Sequence, residues 1–317
     1  MKIQNESDLI NHIVKKTQIS SNDVIKSIGD DCAVIKSSKK YLIMTTDTSL
    51  EGPHFTKDYT SEEIGYKALA TNLSDIAAMG GIPKYILMSI TLPKLDTFWI
   101  KGFYKGLNTL IKKYNLSLIG GDTNKGKLSI TIQVIGECKK NIMYRSDAKL
   151  NDDIYISGRI GLARTALMVK KMKNRSHLKY FKKYLHRPVP RIELGQELCK
   201  IANACIDLSD GLSKDLGLIC KASKVGANID LEKLPTSKRL YSVIPKKRIY
   251  ETIIGGGEDY ELCFTINKCH RDKLKKISRK FKIPLTRVGS ITPGKINYYS
   301  KNRLIKLNIT GFDHFRK

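Results

Sequence analysis

Short β-rich segments and longer helical segments alternate along this chain, and the alternation starts afresh after Asp152. The first half is predicted to contain strands at 32–36, 41–46, 85–91, 116–119 and 128–137, and helices at 60–79 and 95–114. The second half is predicted to contain strands at 154–157, 205–208 and 261–266, and helices at 162–172, 191–203, 212–223 and 268–280. This pattern indicates an α/β (α+β) fold in which helices cover sheets.

Two domains are expected because the chain has 317 residues, whereas a single hydrophobic core seldom organises more than about 250 to 300. We place the boundary near Leu150, which gives an N-terminal domain at 1–150 and a C-terminal domain at 151–317. The basic segment 171–187 has few apolar residues and runs into a proline-containing stretch, so it is predicted to be an exposed connection.

The sequence predicts a cytosolic protein. No apolar run approaches the roughly 20 residues that span a bilayer, and the first ten residues hold only scattered apolar side chains. The seven cysteines are odd in number, scattered and without a Cys-x-x-Cys pair, so we expect reduced thiols rather than disulfides or a zinc site.

The net charge of +27 leaves a nucleic-acid partner open as an alternative, because Lys and Arg neutralise phosphates. However, the bases are spread along the chain in ones and twos, and no RNA-recognition signature, zinc-finger spacing or dense basic tail is present. A solvated lysine-rich surface is the favoured interpretation. Such a surface would also attract anionic nucleotides.

Acidic side chains are clustered although the bases outnumber them. Eleven of the 30 carboxylates fall in six short segments, nearly all beside glycine or at a strand end. These segments are 29–31, 45–52, 72–75, 120–123, 207–211 and 255–261. One such segment alone is more often a turn or a helix cap than a site, but six in one chain are a much stronger signal.

Isolated carboxylates from separate loops suit several shared magnesium ions, since Mg²⁺ takes oxygen ligands and usually one or two protein carboxylates. The predicted strand at 41–46 delivers Thr45, Thr46 and Asp47 at the edge where open α/β sheets bind ligands. On the helix at 60–79, Asn72 and Asp75 share a face, which would hold Asp75 beside the cluster.

Glycines at 120–121 and 255–257 let a phosphate approach backbone N–H groups closely. The sequence contains no G-x-x-x-x-G-K-[ST] motif and no G-x-G-x-x-G with V-A-I-K. Phosphates are therefore expected to be handled mainly by metal.

Six motifs together resemble the thiamine-monophosphate kinase family. They lie at 29–34, 47–55, 67–80, 120–123, 207–212 and 256–262, in the order of that family, and the resemblance runs from about residue 28 to 312. The segments Gly52-Pro53-His54-Phe55 and Gly257-Glu258-Asp259-Tyr260-Glu261-Leu262 separate this family from its relatives. The chain is thereby identified as a member of the aminoimidazole-ribotide-synthetase-like ATP-binding superfamily.

The resemblance implies a set of site residues. The implied magnesium ligands are Asp30, Thr45, Thr46, Asp47, Asp75, Asp122, Asp207 and Asp210. The implied ATP contacts are Tyr104, Gly121, Asp122, Arg145 and Ser209, and the implied thiamine phosphate contacts are His54, Glu258 and Phe312. Lys125 stands where the family commonly has an arginine, which retains the charge but loses the planar guanidinium.

The resemblance also implies ATP as co-substrate, several Mg²⁺ ions and a homodimer that forms through the N-terminal sheet. The acceptor would be a phosphate monoester, whose oxygen is already anionic near neutral pH because its second pKa is about 6. Direct in-line transfer then needs no general base, which agrees with the absence of a Ser-His-Asp or Cys-His arrangement.

Two other interpretations stay open at this stage. A sister enzyme could form a phosphoanhydride or iminophosphate on a different substrate. A basic binding protein with a degenerate site is the other, and its nucleic-acid affinity would survive the loss of Asp47 and Asp75.

Overall fold

The computed structural model of this chain describes residues 5–17, 21–38, 40–172, 175–307 and 309–312. Its two mixed sheets, each covered by helices, confirm the expected two-sheet α/β architecture. No helix among these residues is long and apolar enough to cross a membrane. The seven cysteines, all in the described ranges, are free thiols, and five of them are buried.

In the N-terminal half, the described residues form three α-helices and six strands. The helices are α1 (Glu6–Thr17), α2 (Ser61–Ala78) and α3 (Thr97–Tyr114). The strands are β1 (Val24–Lys26), β2 (Ala33–Ser37), β3 (Lys40–Leu50), β4 (Ile82–Leu92), β5 (Ser117–Lys125) and β6 (Ser129–Cys138).

These six strands make one sheet in the order β1-β2-β3-β6-β4-β5. All neighbours are antiparallel except β4 and β5, which run parallel. A parallel pair needs a crossover connection, and α3 supplies it. β5 is thus left at the edge of the sheet, and all nine of its residues are exposed.

α2 is buried on nearly all sides because it lies between the two halves. Thr60 and Glu63 cap its start reciprocally, Thr60 accepting from the backbone of Glu63 and Glu63 accepting from the backbone of Thr60. It packs on the first sheet on one side and on the second half on the other. The apolar stripe with Leu69 and Leu73 and the polar face with Asn72 are therefore both buried.

Seven α-helices and seven strands are found among the described residues of the C-terminal half. The helices are α4 (Leu162–Lys171), α5 (Arg175–His186), α6 (Ile192–Leu198), α7 (Leu212–Ser223), α8 (Lys238–Val243), α9 (Ile249–Ile254) and α10 (Arg271–Phe281). The strands are β7 (Asp153–Ser157), β8 (Ala202–Asp207), β9 (Gly226–Asp230), β10 (Leu262–Ile266), β11 (Leu285–Thr292), β12 (Ile296–Ser300) and β13 (Arg303–Ile305).

The second sheet has the order β13-β12-β9-β11-β7-β10-β8, with only β9 and β12 parallel. β8 lies at its edge next to α2, so the end of β8 faces the first half. The segment 139–152 joins the two sheets and includes Leu150; the exact domain boundary stays a prediction.

The prediction of an exposed connection at 171–187 was wrong, because α5 occupies most of it. Phe181 is 0% exposed and Leu185 is 4% exposed. With Leu178 they recur at a spacing of three and four residues, which places them on one helix face. The many lysines lowered the average hydrophobicity of the segment and hid this periodicity. The helix predicted at 191–203 is also shorter, since β8 begins at Ala202.

Candidate active site

Three buried or half-buried carboxylates from three different elements meet between the two halves. Asp31 precedes β2, Asp75 lies on α2 and Asp207 ends β8. One ligand oxygen of each lies within 4.8 Å of the others. The fold brings them together because α2 and β8 pack against each other across the boundary.

This cluster is electrostatically unfavourable without a cation. Burial raises the pKa of Asp75 well above its ordinary value, and the charges of Asp47, Asp207 and Asp31 raise it further. Burial and the charge of Asp31 likewise raise the pKa of Asp207. Like charges that share a buried site disfavour ionisation, and a bound cation would reverse that effect.

β3 lies beside the cluster and carries the oxygen-bearing side chains of Thr45 and Asp47. The hydroxyl of Thr45 donates to Oδ2 of Asp75 at 2.5 Å. The backbone N–H of Asp47 donates to Oδ1 of Asn72 at 3.1 Å, which fixes the end of β3 against α2. Burial, together with the charges of Asp210 and Glu258, raises the pKa of Asp47. Asp47 therefore lies between Asp75 and the carboxylates of Asp210 and Glu258 in the second half.

Asp30 and Arg145 close the cluster on the side of the first sheet. Burial and the charge of Asp31 raise the pKa of Asp30 to about 6, against the opposing effect of Lys26 and Arg145. The backbone N–H of Arg145 lies 3.3 Å from each oxygen of Asp30. Its guanidinium contacts Asp31, so the side chain expected to contact ATP is already held by a carboxylate.

Two buried polar atoms in this region point to a missing ligand. Among the described residues, Oδ2 of Asp207 and Oγ of Ser74 are buried and neither makes a well-formed hydrogen bond, although the Ser74 hydroxyl is close enough to Asp207 to lower its pKa. Buried polar groups are normally paired, because an unpaired one costs about 1 to 3 kcal/mol. A hard divalent cation bound by carboxylate and hydroxyl oxygens fits this set of donors.

The loop after β8 carries Ser209 and Asp210 and meets the end of the described chain. The backbone N–H of Phe312 donates to the carbonyl oxygen of Asp210 at 3.0 Å. Oδ2 of Asp215 accepts from the backbone N–H groups of Asp210 and Gly211 at 3.1 and 2.9 Å, which shapes this loop. Lys214 contacts the carboxylate of Asp210 at 2.8 Å.

His54 and Glu258 lie near each other although 204 positions separate them in the sequence. Both contact the buried ammonium of Lys67, His54 through its carbonyl oxygen at 2.9 Å and Glu258 through its carboxylate. Nδ1 of His54 accepts from the backbone N–H of Leu50 at 3.0 Å, which orients the ring. The structure thus joins these two predicted substrate residues through a third residue.

Four residues that were predicted to bind metal or ATP do not lie at the acidic cluster of the single chain. Thr46 is exposed on the face of β3 opposite Thr45, because side chains alternate along a strand. Asp122 lies in register with Ser89, Thr131 and Thr48, three strands away from β3. That separation is roughly 14 Å, since neighbouring strands lie about 4.8 Å apart.

Gly121 and Tyr104 are the other two. Gly121 is required for strand pairing, because a Cβ there would collide with the carbonyl oxygen of Met88. Tyr104 lies on α3, is partly exposed and packs edge-to-face on Phe103. Their nucleotide contacts stay predictions.

Sequence reasoning missed Asp31, Lys67 and Asp215 as candidate site residues. Asp31 was visible as the second carboxylate of its motif, but only the fold shows that Asp31, rather than Asp30, lies in the cluster with Asp75 and Asp207. Asp215 lies one helical turn after Gly211, a spacing that could have suggested its contact with the loop.

The fold and the carboxylate cluster define the class of protein, and comparisons with known families agree. The family model described as AIR synthase related protein, N-terminal domain, matches residues 29–138, and the corresponding C-terminal domain model matches residues 151–300. Together they cover both sheets almost completely.

Thiamine-monophosphate kinase of Buchnera aphidicola subsp. Acyrthosiphon pisum is 43% identical over 98% of both chains. A solved thiamine-monophosphate kinase from Stenotrophomonas maltophilia has a TM-score of 0.80 and 34% identity, covering 94% of this chain and 96% of its own. A second structure, described as AaThiL complexed with AMPPCP and TMP, has a TM-score of 0.86 and 31% identity, covering 99% of both chains. The chain belongs to the AIR synthase related proteins and, among them, to the thiamine-monophosphate kinase family.

Proposed function

We propose that this chain is a thiamine-monophosphate kinase, which transfers the γ-phosphate of ATP to thiamine monophosphate and forms thiamine diphosphate and ADP. The observation that carries the proposal is the convergence of Asp31, Asp75 and Asp207 between the two halves, beside His54 and Glu258. Relatives that carry this name match along nearly the whole chain. The related structure with a bound ATP analogue and TMP supports the same pair of substrates.

We assign magnesium to the acidic cluster. Asp30, Asp31, Thr45, Asp47, Asp75 and Asp207 would hold it, with Asp210 at the side of the second half. When bound, Mg²⁺ supplies charge neutralisation that lets two polyanionic substrates approach and stabilises the transferring phosphoryl group. The raised pKa values of Asp75 and Asp207 and the unpaired Oδ2 of Asp207 support this assignment.

The acceptor subsite is proposed to lie beside that cluster, at His54, Glu258 and Phe312. A phosphate oxygen of the acceptor is already an anionic nucleophile near neutral pH. The chain therefore needs to orient the acceptor and exclude water rather than remove a proton. The side chain of Phe312 is 45% exposed next to the Asp210 loop, and we propose that its ring stacks on the aromatic part of the acceptor.

We further propose a homodimer that forms through the N-terminal sheet. β5 is an edge strand whose residues are all exposed, including the apolar Leu118 and Ile119. An uncovered apolar edge strand favours aggregation. A second copy of this chain is the simplest partner that would cover β5. Thr46, Tyr104, Gly121 and Asp122 would then complete the nucleotide site in the dimer. We also propose that the protein acts in the cytosol.

The test is a direct assay. Purified protein, ATP, MgCl₂ and thiamine monophosphate are incubated together, and thiamine diphosphate and ADP are quantified by chromatography. Equal amounts of both products are expected. ADP formation without thiamine diphosphate, or no ADP above the level without acceptor, would contradict the proposal.

A further inference from the structure

Lys67 is a buried lysine whose ammonium lies at the junction of the two halves. It sits on α2, is 4% exposed and forms an ion pair with Glu258, which follows α9. The same ammonium donates to the carbonyl oxygen of His54 at 2.9 Å and lies 5.4 Å from the ring centre of Tyr59. A lysine is almost never buried this far unless it is paired, so these contacts determine where it lies.

Glu258 is held in a backbone conformation that a glutamate rarely adopts. Its φ of 72° is in the left-handed region. Its backbone N–H donates to the carbonyl oxygen of Ser209 at 2.7 Å, which holds the strained turn against the Asp210 loop. Strained residues that are fixed by several contacts concentrate at functional sites. The ion pair with Lys67 fixes the side chain of the same residue.

We propose that Lys67 is a positioning residue that holds the acceptor-binding residues His54 and Glu258 in one arrangement across the two halves of the chain. This inference rests on the proposed kinase function. His54 belongs to the first half and Glu258 to the second, and Lys67 contacts both with one ammonium group. Loss of that contact would let the two sides of the acceptor subsite move apart, while the acidic cluster keeps its own contacts.

A matched control is available on the same helix. Glu62, in the first turn of α2, forms an ion pair with Arg187 of the second half. This pair also joins the two halves, but it contacts neither His54 nor Glu258. If Lys67 only fastened the halves together, Lys67→Met and Arg187→Met would both leave the ratio of acceptor affinity to ATP affinity unchanged, although Lys67→Met would cost more stability because its ammonium is more buried.

The experiment compares wild-type protein with Lys67→Met, Lys67→Gln and Arg187→Met. Binding of thiamine monophosphate is measured by calorimetry in the presence of Mg²⁺ and a non-hydrolysable ATP analogue, and KM is measured for both substrates. We expect Lys67→Met to weaken acceptor binding and raise its KM by about 10- to 100-fold, as for loss of an outer positioning partner, with the KM for ATP within about twofold. Arg187→Met should leave acceptor binding within about twofold of wild type.

The positioning role would be overturned if Lys67→Met raised the KM values for both substrates equally. It would also be overturned if Lys67→Met and Arg187→Met weakened acceptor binding equally. If Lys67→Met shows no cooperative thermal unfolding, Lys67→Gln takes its place, and wild-type acceptor affinity in that variant would overturn the role. Failure of the wild-type protein to form thiamine diphosphate would instead overturn the proposed function. Because binding needs no turnover, the two failures are distinguishable.

Discussion

Arg145 donates two hydrogen bonds to the carboxylate of Asp31, from Nε to Oδ2 at 3.1 Å and from Nη2 to Oδ1 at 3.0 Å. The side chain of Asp31 has no exposed surface, and the guanidinium of Arg145 forms an ion pair with it at 3.0 Å. This pair compensates one charge of the acidic cluster from within the chain. It also orients Asp31 toward Asp75 and Asp207.

The first prediction concerns this pair. Arg145→Met leaves a buried carboxylate unpaired and should lower the free energy of unfolding by about 3 to 5 kcal/mol, measured by urea denaturation without metal. Addition of Mg²⁺ should recover part of that loss, because a cation bound at the cluster replaces the missing positive charge. Arg271→Met is the control. It should cost less, since Arg287 still contacts the buried Asp153. A larger loss for Arg271→Met than for Arg145→Met would contradict the prediction.

The second prediction separates stability from activity at Asp75. Asp75→Asn removes one of several mutually repelling charges, so the metal-free protein should unfold at an equal or higher temperature than wild type. Kinase activity should fall by more than the roughly 10- to 100-fold typical of losing an outer metal partner. Thermal shift with and without Mg²⁺ and the product assay check both parts. Asp230→Asn, at a surface carboxylate paired with Lys233, should change neither. Retained activity in Asp75→Asn would count against the metal assignment.

The third prediction concerns the pH dependence of the free energy of unfolding, through His186. His186 stacks on Tyr59 with ring centres 3.5 Å apart, and burial lowers its pKa from about 6.5 to about 4, with Lys182 acting in the same direction and Glu63 against it. In the unfolded chain His186 is therefore protonated as the pH falls through about 6.5, whereas in the folded chain it stays neutral until about pH 4. The stabilising effect of the neutral ring is complete above pH 6.5 and is lost as the pH falls to 4. The loss reaches up to about 3 kcal/mol, at 1.4 kcal/mol per pKa unit.

His186→Phe keeps a stacked ring that cannot be protonated, so its unfolding free energy should fall less than that of wild type between pH 6.5 and 4. His270→Gln, at a partly exposed histidine, should follow the wild-type curve. The measurement is urea denaturation at several pH values. Parallel curves for wild type and His186→Phe would show that the histidine does not carry this effect.

The fourth prediction concerns the exposed edge strand. Ile119 is 54% exposed on β5, and Ile119→Lys should convert the proposed dimer to a monomer because a lysine charge resists burial. Light scattering coupled to size exclusion measures the mass. Leu304→Lys, at an exposed leucine of β13, is the control and should remain dimeric. If the wild-type protein is itself monomeric, the proposed interface is wrong.

Much of the architecture was predictable because hydrophobic periodicity is a local property. The strands at β3, β4 and β6 and the helices α2, α4 and α7 were expected close to where they lie. α5 was missed because its lysines dominate the composition while three apolar side chains on one face do the packing. The strands after β10 were not predicted, since their short and partly exposed segments carry little periodicity.

The candidate site was predictable in composition but not in geometry. Short acidic segments in the sequence contained Asp30, Asp47, Asp75 and Asp207, and the family resemblance implied that these residues bind metal. These carboxylates come together because α2 is enclosed by both halves of the chain. No local sequence pattern indicates that enclosure. Lys67 looked like any lysine of a helix, because its partner Glu258 lies 191 positions away.

The contacts of Lys214 have a practical consequence for work on this chain. Its ammonium contacts Glu6 of α1, the carbonyl oxygen of Phe312 and the carboxylate of Asp210. Residues near both ends of the described chain therefore meet on one side chain, next to the site. Proximity of this kind between the segments that hold Glu6 and Phe312 favours circular permutation, with a short linker joining these two segments and a new opening in a distant surface loop.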